Sequence, residues 1–146
     1  MTETIKAWYE LRRQQRHRKL THEKFKQDIA EARKNKKSRD HIERLNANEQ
    51  FEIGLIDDEI EWIATQALRS KSERYLLPWP EFDRESGDWI ESHLTGKWHL
   101  SRGAMSDVRS QIRQEKKERF QNWQPWILLI IALVGGVTGL ISVLKG

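Results

Sequence analysis

The chain has no cysteine among its 146 residues. This absence excludes a disulfide framework, a zinc site built on thiolates and a cysteine nucleophile. Proline and glycine, the usual breakers of regular structure, are missing from the first third of the chain, where neither occurs before Gly54. The N-terminal region therefore favours helices, although its few apolar residues leave three alternatives open: a thin helical hairpin, a weak coiled coil, or a segment ordered only by a partner.

Motifs that carry catalysis are also lacking. The five histidines form no HExxH pattern, there is no glycine-rich phosphate loop, and no serine lies in a nucleophile elbow. The acidic run Asp57, Asp58, Glu59 resembles a metal cluster only superficially, because consecutive helical residues point in different directions; the interpretation is that it complements the dipole of a helix first turn. The sequence predicts no enzyme, no catalytic residue, no metal site and no cofactor.

Charge is absent from one long stretch, WILLIIALVGGVTGLISVL, which covers the 19 residues from Trp126 to Leu144. As a helix it would be about 28 Å long, close to the hydrocarbon thickness of a bilayer. A soluble core helix normally keeps a polar stripe, and this segment has none. The pattern predicts a transmembrane helix over residues 124–144.

The flanks of this stretch set the expected orientation. Trp123 and Trp126 suit a membrane interface, and Lys145 can reach the opposite one. Five basic residues precede the stretch, which places the N-terminal side in the cytoplasm under the positive-inside rule: Arg109, Arg113, Lys116, Lys117 and Arg119. No apolar run resembling a signal peptide occurs near Met1. The expectation is a tail-anchored protein of the inner (cytoplasmic) membrane, with the lipid bilayer as a partner.

Small residues repeat at four-residue spacing within the predicted span. They are Ala132, Gly135, Gly136, Gly139 and Ser142. Such a face lets two helix backbones approach closely, so it predicts self-association through the span.

Charge is divided into blocks along the rest of the chain. Residues 1–46 carry 14 basic and 7 acidic side chains, whereas residues 47–95 carry 4 and 12. The densest basic run gives a candidate phosphate or lipid-headgroup patch at Arg12, Arg13, Arg16, Arg18 and Lys19. It can be a solvated helix face, attract anionic headgroups or attract nucleic-acid phosphates, and nucleic acid is the least favoured because no known binding motif accompanies it.

Local patterns place the expected elements. Thr21 is predicted to cap a helix, with Leu20 and Phe25 as a hydrophobic staple. Residues 55–68 have helical apolar spacing, and the segment GKWHL (96–100) is predicted as a short strand or turn, with a short β pair near Leu76 as one option. Four aromatic residues are predicted to cover a small core on that helix, with a docking surface as the alternative: Trp79, Phe82, Trp89 and Trp98.

The predicted fold is mainly α. An extended basic helical arm (1–50) precedes an amphipathic helix with a Trp/Pro-rich loop (51–100), a basic juxtamembrane helix (101–123) and the single C-terminal transmembrane helix (124–144).

The second half of the chain resembles uncharacterised bacterial small single-pass membrane proteins with a C-terminal Gly-rich transmembrane helix. The resemblance rests on YLLPWP, DWIES, WHLSRGAM, VRSQIRQEKKER and LVGGVTGL, in this order. It implies a single-pass architecture and carries no activity.

The leading functional hypothesis is a scaffold that holds an unidentified cytosolic protein partner at the membrane. The first alternative is a small membrane-active effector, of toxin or phage-exclusion type, that acts through oligomerised spans. The weaker alternative is a membrane-tethered nucleic-acid binder.

Overall fold

The computed structural model describes the backbone of residues 2–145 and the side chains of residues 5–129 and 131–133. The protein is mainly helical, with about 77% of its residues in helices, of which the described part contains three, and a small two-stranded sheet in addition. Its elements are α1 (Thr2–Lys34), α2 (Arg39–Tyr75), β1 (Trp89–Glu91), β2 (Trp98–Leu100) and α3 (Arg102–Lys145). The prediction of a mainly α fold is confirmed. The chain divides into two compact units, Met1–Arg109 and Ser110–Gly146.

Helices α1 and α2 form an antiparallel hairpin. The tight turn between them contains Lys36 in the left-handed conformation (φ 49°), and Ser38 caps α2 by accepting a hydrogen bond from the backbone N–H of His41 at 3.3 Å. Along α1 the residues that face α2 recur at alternating spacings of four and three, as in a coiled coil, and we name this row of residues the seam. Its members are Ala7, Leu11, Gln14, Arg18, Thr21, Phe25, Asp28 and Ala32.

This seam corrects two local predictions. Helix α1 passes through residue 21 without a break, so Thr21 caps nothing and is buried in the seam instead. Leu20 and Phe25 form no staple, because Phe25 is buried whereas Leu20 is 57% exposed. The absence of proline and glycine before Gly54 was the stronger signal, since nothing in the sequence interrupts the helix.

A second core lies on the opposite side of α2. Leu68 of α2, Leu100 of β2 and three residues at the start of α3 are buried there: Ala104, Met105 and Val108. Strand β2 pairs antiparallel with β1, with Ile90 opposite His99, and not with residues near Leu76 as predicted. The physical reason is the end of α2, where Leu76 adopts the left-handed conformation (φ 56°) and its N–H bonds the Glu73 carbonyl as a helix cap.

Aromatic residues of the loop 77–88 and of the two strands form a cluster of edge-to-face contacts. The Phe82 ring lies 5.5 Å from the Trp89 ring and 5.1 Å from the Trp98 ring, centroid to centroid. Trp79 contacts Trp89 at 6.3 Å, and the Trp89 indole N–H donates to the Glu81 carbonyl at 2.9 Å. The cluster thus folds the loop 77–88 onto one face of the β-hairpin.

Helix α3 begins at Arg102, where Ser101 Oγ accepts the N–H of Ala104 at 3.3 Å, and continues through Pro125 to Lys145. Within the part of the chain that the structure describes, no helix combines the length and the apolar composition needed to cross a membrane.

This finding contradicts the prediction of a single-pass, tail-anchored protein of the inner membrane with its bulk in the cytoplasm. It equally contradicts the scaffold at the membrane, the effector acting through oligomerised spans and the membrane-tethered nucleic-acid binder, because each depends on that span. Four of the small residues predicted to pack spans together have side chains outside the described residues: Gly135, Gly136, Gly139 and Ser142. Ala132, the fifth, is exposed.

Candidate functional site

The acidic run of α2 connects the two cores. Because helix α2 begins at Arg39, the run Asp57, Asp58, Glu59 lies in its middle and not in a first turn as predicted. Successive residues of a helix point about 100° apart, so each acid meets a different neighbour. Asp57 pairs with Arg18 of α1, and Asp58 accepts a hydrogen bond from Ser92 of the β-hairpin turn.

Glu59, the last acid of the run, and Glu61, two residues later, also contact the β-hairpin. Lys97 Nζ lies 2.7 Å from Glu59 Oε2 and 4.7 Å from the centroid of the Trp62 ring. Glu61 Oε2 lies 3.1 Å from Nε2 of the buried His99. Among the described residues no group of three or more histidines and carboxylates could hold a metal ion. The acidic run therefore serves the packing of three elements.

The predicted basic patch separates into two parts in the structure. Arg18 belongs to the seam, since its guanidinium makes two hydrogen bonds to the Asp57 carboxylate at 2.5 and 3.1 Å. This bidentate bond, reinforced by the negative charge of Asp57, raises the pKa of Arg18. Lys19 lies 3.8 Å from Glu23 one turn later. Arg18 and Lys19 therefore each have a carboxylate partner within the protein.

Arg12, Arg13 and Arg16 form the other part, on the surface of α1. Arg13 pairs with Glu10 at 2.8 Å, and the Arg12 guanidinium carbon lies 4.5 Å from the centroid of the Trp8 ring. Arg16 makes no ion pair with any described side chain. The open surface around these arginines forms two shallow depressions, lined by Tyr9, Arg12, Arg13 and Arg16 and by Arg13, Gln14, Arg16, His17 and Leu20.

Apolar residues continue the same surface. We name as the outer stripe the five residues Ile5, Tyr9, Arg12, Arg16 and Leu20, flanked by Trp8 and Arg13. The spacings of 4, 3, 4 and 4 residues keep its members on one side of α1, opposite the seam. Ile5, Trp8, Tyr9 and Leu20 are between 55% and 64% exposed. Large apolar side chains on both sides of one helix are typical of a helix with two partners, and the described part of the chain supplies only α2.

Sequence reasoning identified the residues of the outer stripe but not their arrangement. In the sequence the four apolar residues Ile5, Trp8, Tyr9 and Leu11 lie within one short stretch, whereas in the structure only Leu11 faces α2. The spacing from Ile5 to Leu20 was the available signal.

The basic residues predicted at a membrane interface lie along α3. Arg109 contacts Met105 Sδ at 3.8 Å, and Arg119 pairs with Glu115 at 2.7 Å. Trp123 and Trp126 are 67% and 65% exposed. Arg113, Lys116 and Lys117 lie on the same helix, and the Lys145 side chain lies outside the described residues.

Comparison of the chain with protein-family models, with curated proteins and with solved structures finds no match.

Proposed function

We propose that this protein is a non-enzymatic interaction module whose outer stripe binds an acidic helix of a partner protein. The observation that carries the proposal is the outer stripe itself, an exposed row of aromatic, aliphatic and arginine side chains on one helix of the hairpin. Tryptophan, tyrosine and arginine are the residues most enriched at the energetic centres of protein interfaces. Their combination here, on a helix whose other side is already packed, fits helix-against-helix recognition.

The geometry of the stripe defines the partner. Ile5 and Leu20 mark its ends and are 15 residues apart, which corresponds to about 22 Å along a helix. Arg12 and Arg16 lie between them, one turn apart. A complementary helix would carry apolar side chains at both ends of a segment of about four turns and carboxylates between them.

A nucleic acid would use the arginines and Trp8, through phosphate contacts and base stacking. Two observations favour a protein. The aliphatic side chains of Ile5 and Leu20 have no role on a phosphate backbone, and the Arg12 guanidinium already covers the Trp8 ring on which a base would stack.

The proposal can be tested with designed helical peptides and the full chain. One peptide of three heptads carries leucine at the a and d positions of each heptad and glutamate elsewhere. Its counterpart replaces every glutamate by lysine. We expect the acidic peptide to bind and the basic peptide not to bind, as measured by fluorescence anisotropy at low salt. The double substitution Arg12→Glu with Arg16→Glu should weaken binding by about tenfold or more, since it replaces two attractive contacts by repulsion.

A matched control reverses the same number of charges elsewhere on α1. Lys24→Glu with Lys26→Glu changes two exposed cations outside the outer stripe, and should leave binding within about twofold, because only the general field of the protein changes. Equal loss in both double variants would show nonspecific attraction and overturn the proposal. Binding of single-stranded RNA more tightly than the acidic peptide would overturn it in favour of nucleic acid.

A further inference from the structure

A groove opens between the ends of the helical hairpin, on a different side of α1 from the outer stripe. It lies between the first turns of α1 and the C-terminal half of α2 and has a volume of about 460 Å³. Its lining comprises Lys6, Ala7, Glu10, Trp62, Ile63, Gln66, Ala67, Arg69, Ser70 and Glu73. We name it the hairpin-end groove.

Side-chain size explains why the groove is there. The middle of the hairpin is closed by large residues that are buried, such as Phe25, Ile29 and Ile56. Near the open end the seam positions are Ala7 on α1 and Ala67 on α2, and two methyl groups cannot fill the space that larger side chains fill elsewhere. Ile63 and the indole of Trp62 complete the apolar lining.

Both carboxylates at the rim of the groove are already paired with arginines. Glu73 pairs with Arg69 at 3.1 Å, and Glu10 pairs with Arg13 at 2.8 Å. Both carboxylates therefore have a cation of their own. Lys6 makes no ion pair with any described side chain and is exposed, so one ammonium group stands uncompensated at the edge of an apolar groove.

We propose that the hairpin-end groove binds an amphipathic monoanion, a small molecule with an apolar body and a single carboxylate. The body lies along Ala7, Ile63 and Ala67, and the carboxylate pairs with Lys6. The volume falls within the range of small-molecule sites, about 300 to 1,000 Å³, and such sites combine mostly apolar walls with a few placed polar groups. This site is independent of the outer stripe and of the proposed partner helix.

Isothermal titration calorimetry of the full chain with dodecanoate, below its micelle concentration, tests the proposal. Dodecylammonium, with the same chain and the opposite charge, is the matched ligand. We expect saturable binding of dodecanoate at one site and binding of dodecylammonium at least tenfold weaker. Absence of dodecanoate binding, or equal binding of both ligands, would overturn the proposal.

Two variants assign the binding to this groove. Ala67→Leu fills it and should abolish binding, whereas Ala47→Leu makes the same change at an exposed position of α2 and should have no effect. Lys6→Glu, on the surface, should weaken binding at least tenfold, with Lys24→Glu as its control. Far-UV circular dichroism checks that each variant is folded, and Lys6→Glu keeps the test valid if Ala67→Leu is not. Unchanged affinity in Lys6→Glu would show that dodecanoate binds elsewhere and refute the assignment.

Discussion

The hydroxyl group of Thr65 offers the sharpest test of how the β-hairpin is held on α2. Thr65 is 1% exposed, donates to the Glu61 carbonyl at 2.9 Å and accepts the N–H of Leu100 at 3.1 Å. The hydrogen bonds from Ser92 to Lys97 and from Ser101 to Asp88 alternate along the hairpin, so the N–H of Leu100 points away from β1. Thr65 is the hydrogen-bond partner of this outward-facing donor.

Substitution Thr65→Val keeps the shape of the side chain and removes the acceptor. The N–H of Leu100 is then buried without a partner, which costs about 1 to 3 kcal/mol. Loss of the bond to Glu61 matters less, because that carbonyl keeps its helical partner. At roughly 3 °C per kcal/mol for a chain of this length, a cost of about 2 kcal/mol lowers the Tm by about 6 °C.

Urea unfolding followed by circular dichroism measures the free-energy change, and amide hydrogen exchange reports the Leu100 N–H directly. Thr65→Ser is the matched control: it retains the hydroxyl and loses one methyl group, at a cost of about 1 kcal/mol. We expect the Leu100 amide to exchange faster in Thr65→Val relative to other amides of the hairpin, and to keep its relative protection in Thr65→Ser. Equal stability of Thr65→Val and the parent protein would refute the reasoning.

Substitutions at three further positions, two of them with a control variant, test local features of the fold by urea unfolding. Leu76 is 89% exposed and left-handed, so Leu76→Gly should stabilise the protein by about 1 kcal/mol, whereas Leu20→Gly within α1 should destabilise it by a similar amount; a loss of stability in Leu76→Gly would contradict the cap. A Cβ at Gly54 would meet only the Leu94 Cδ1 atom, at 2.7 Å, and this half-exposed side chain can turn away, so Gly54→Ala should stabilise α2 by up to about 1 kcal/mol and Gly54→Val should not. Arg18→Gln should cost at most about 1 kcal/mol, because the pair with Asp57 is half-exposed, and the cost should shrink in high salt. Because folding raises the pKa of Arg18, its charge stabilises the fold fully below the unfolded-state pKa, and this stabilisation is lost only as the pH rises through the higher folded-state pKa. Between about pH 6 and 10 the cost of Arg18→Gln should therefore not depend on pH. A cost that changes with pH in this range would contradict the assignment.

The helical content of the chain could be predicted from the sequence, and the hairpin was one of three alternatives. The lack of breakers before Gly54 indicates long helices, yet the apolar spacing on α1 is ambiguous because Gln14, Arg18 and Thr21 occupy seam positions. Only the pairing of Arg18 with Asp57, 39 residues away, shows why a charged residue can lie there. Such long-range partners leave no local signal in a sequence.

The candidate site was predictable as a set of residue types and not as a surface. Arg12, Arg13, Arg16, Arg18 and Lys19 look equivalent in the sequence, and their separation depends on which residues face α2. The prediction of a membrane span was wrong for a different reason. It inferred the environment of a helix from local composition alone, and no helix in the described part of the chain is both long and apolar enough to cross a membrane.

The acidic run of α2 has a consequence for how the chain can change in length. Asp57 pairs with a residue of α1, whereas Asp58, Glu59 and Glu61 bind residues of the β-hairpin, and all four lie within two turns of α2. One residue inserted into α2 before this run would rotate it by about 100° relative to the preceding seam, and every acid would then face the wrong neighbour. The loop 77–88 is not helical, so an inserted residue there would not rotate the elements on either side of it by a fixed angle. Helix α2 therefore fixes the register between α1 and the β-hairpin, and we expect inserted or deleted residues to be tolerated better in the connections than in this helix.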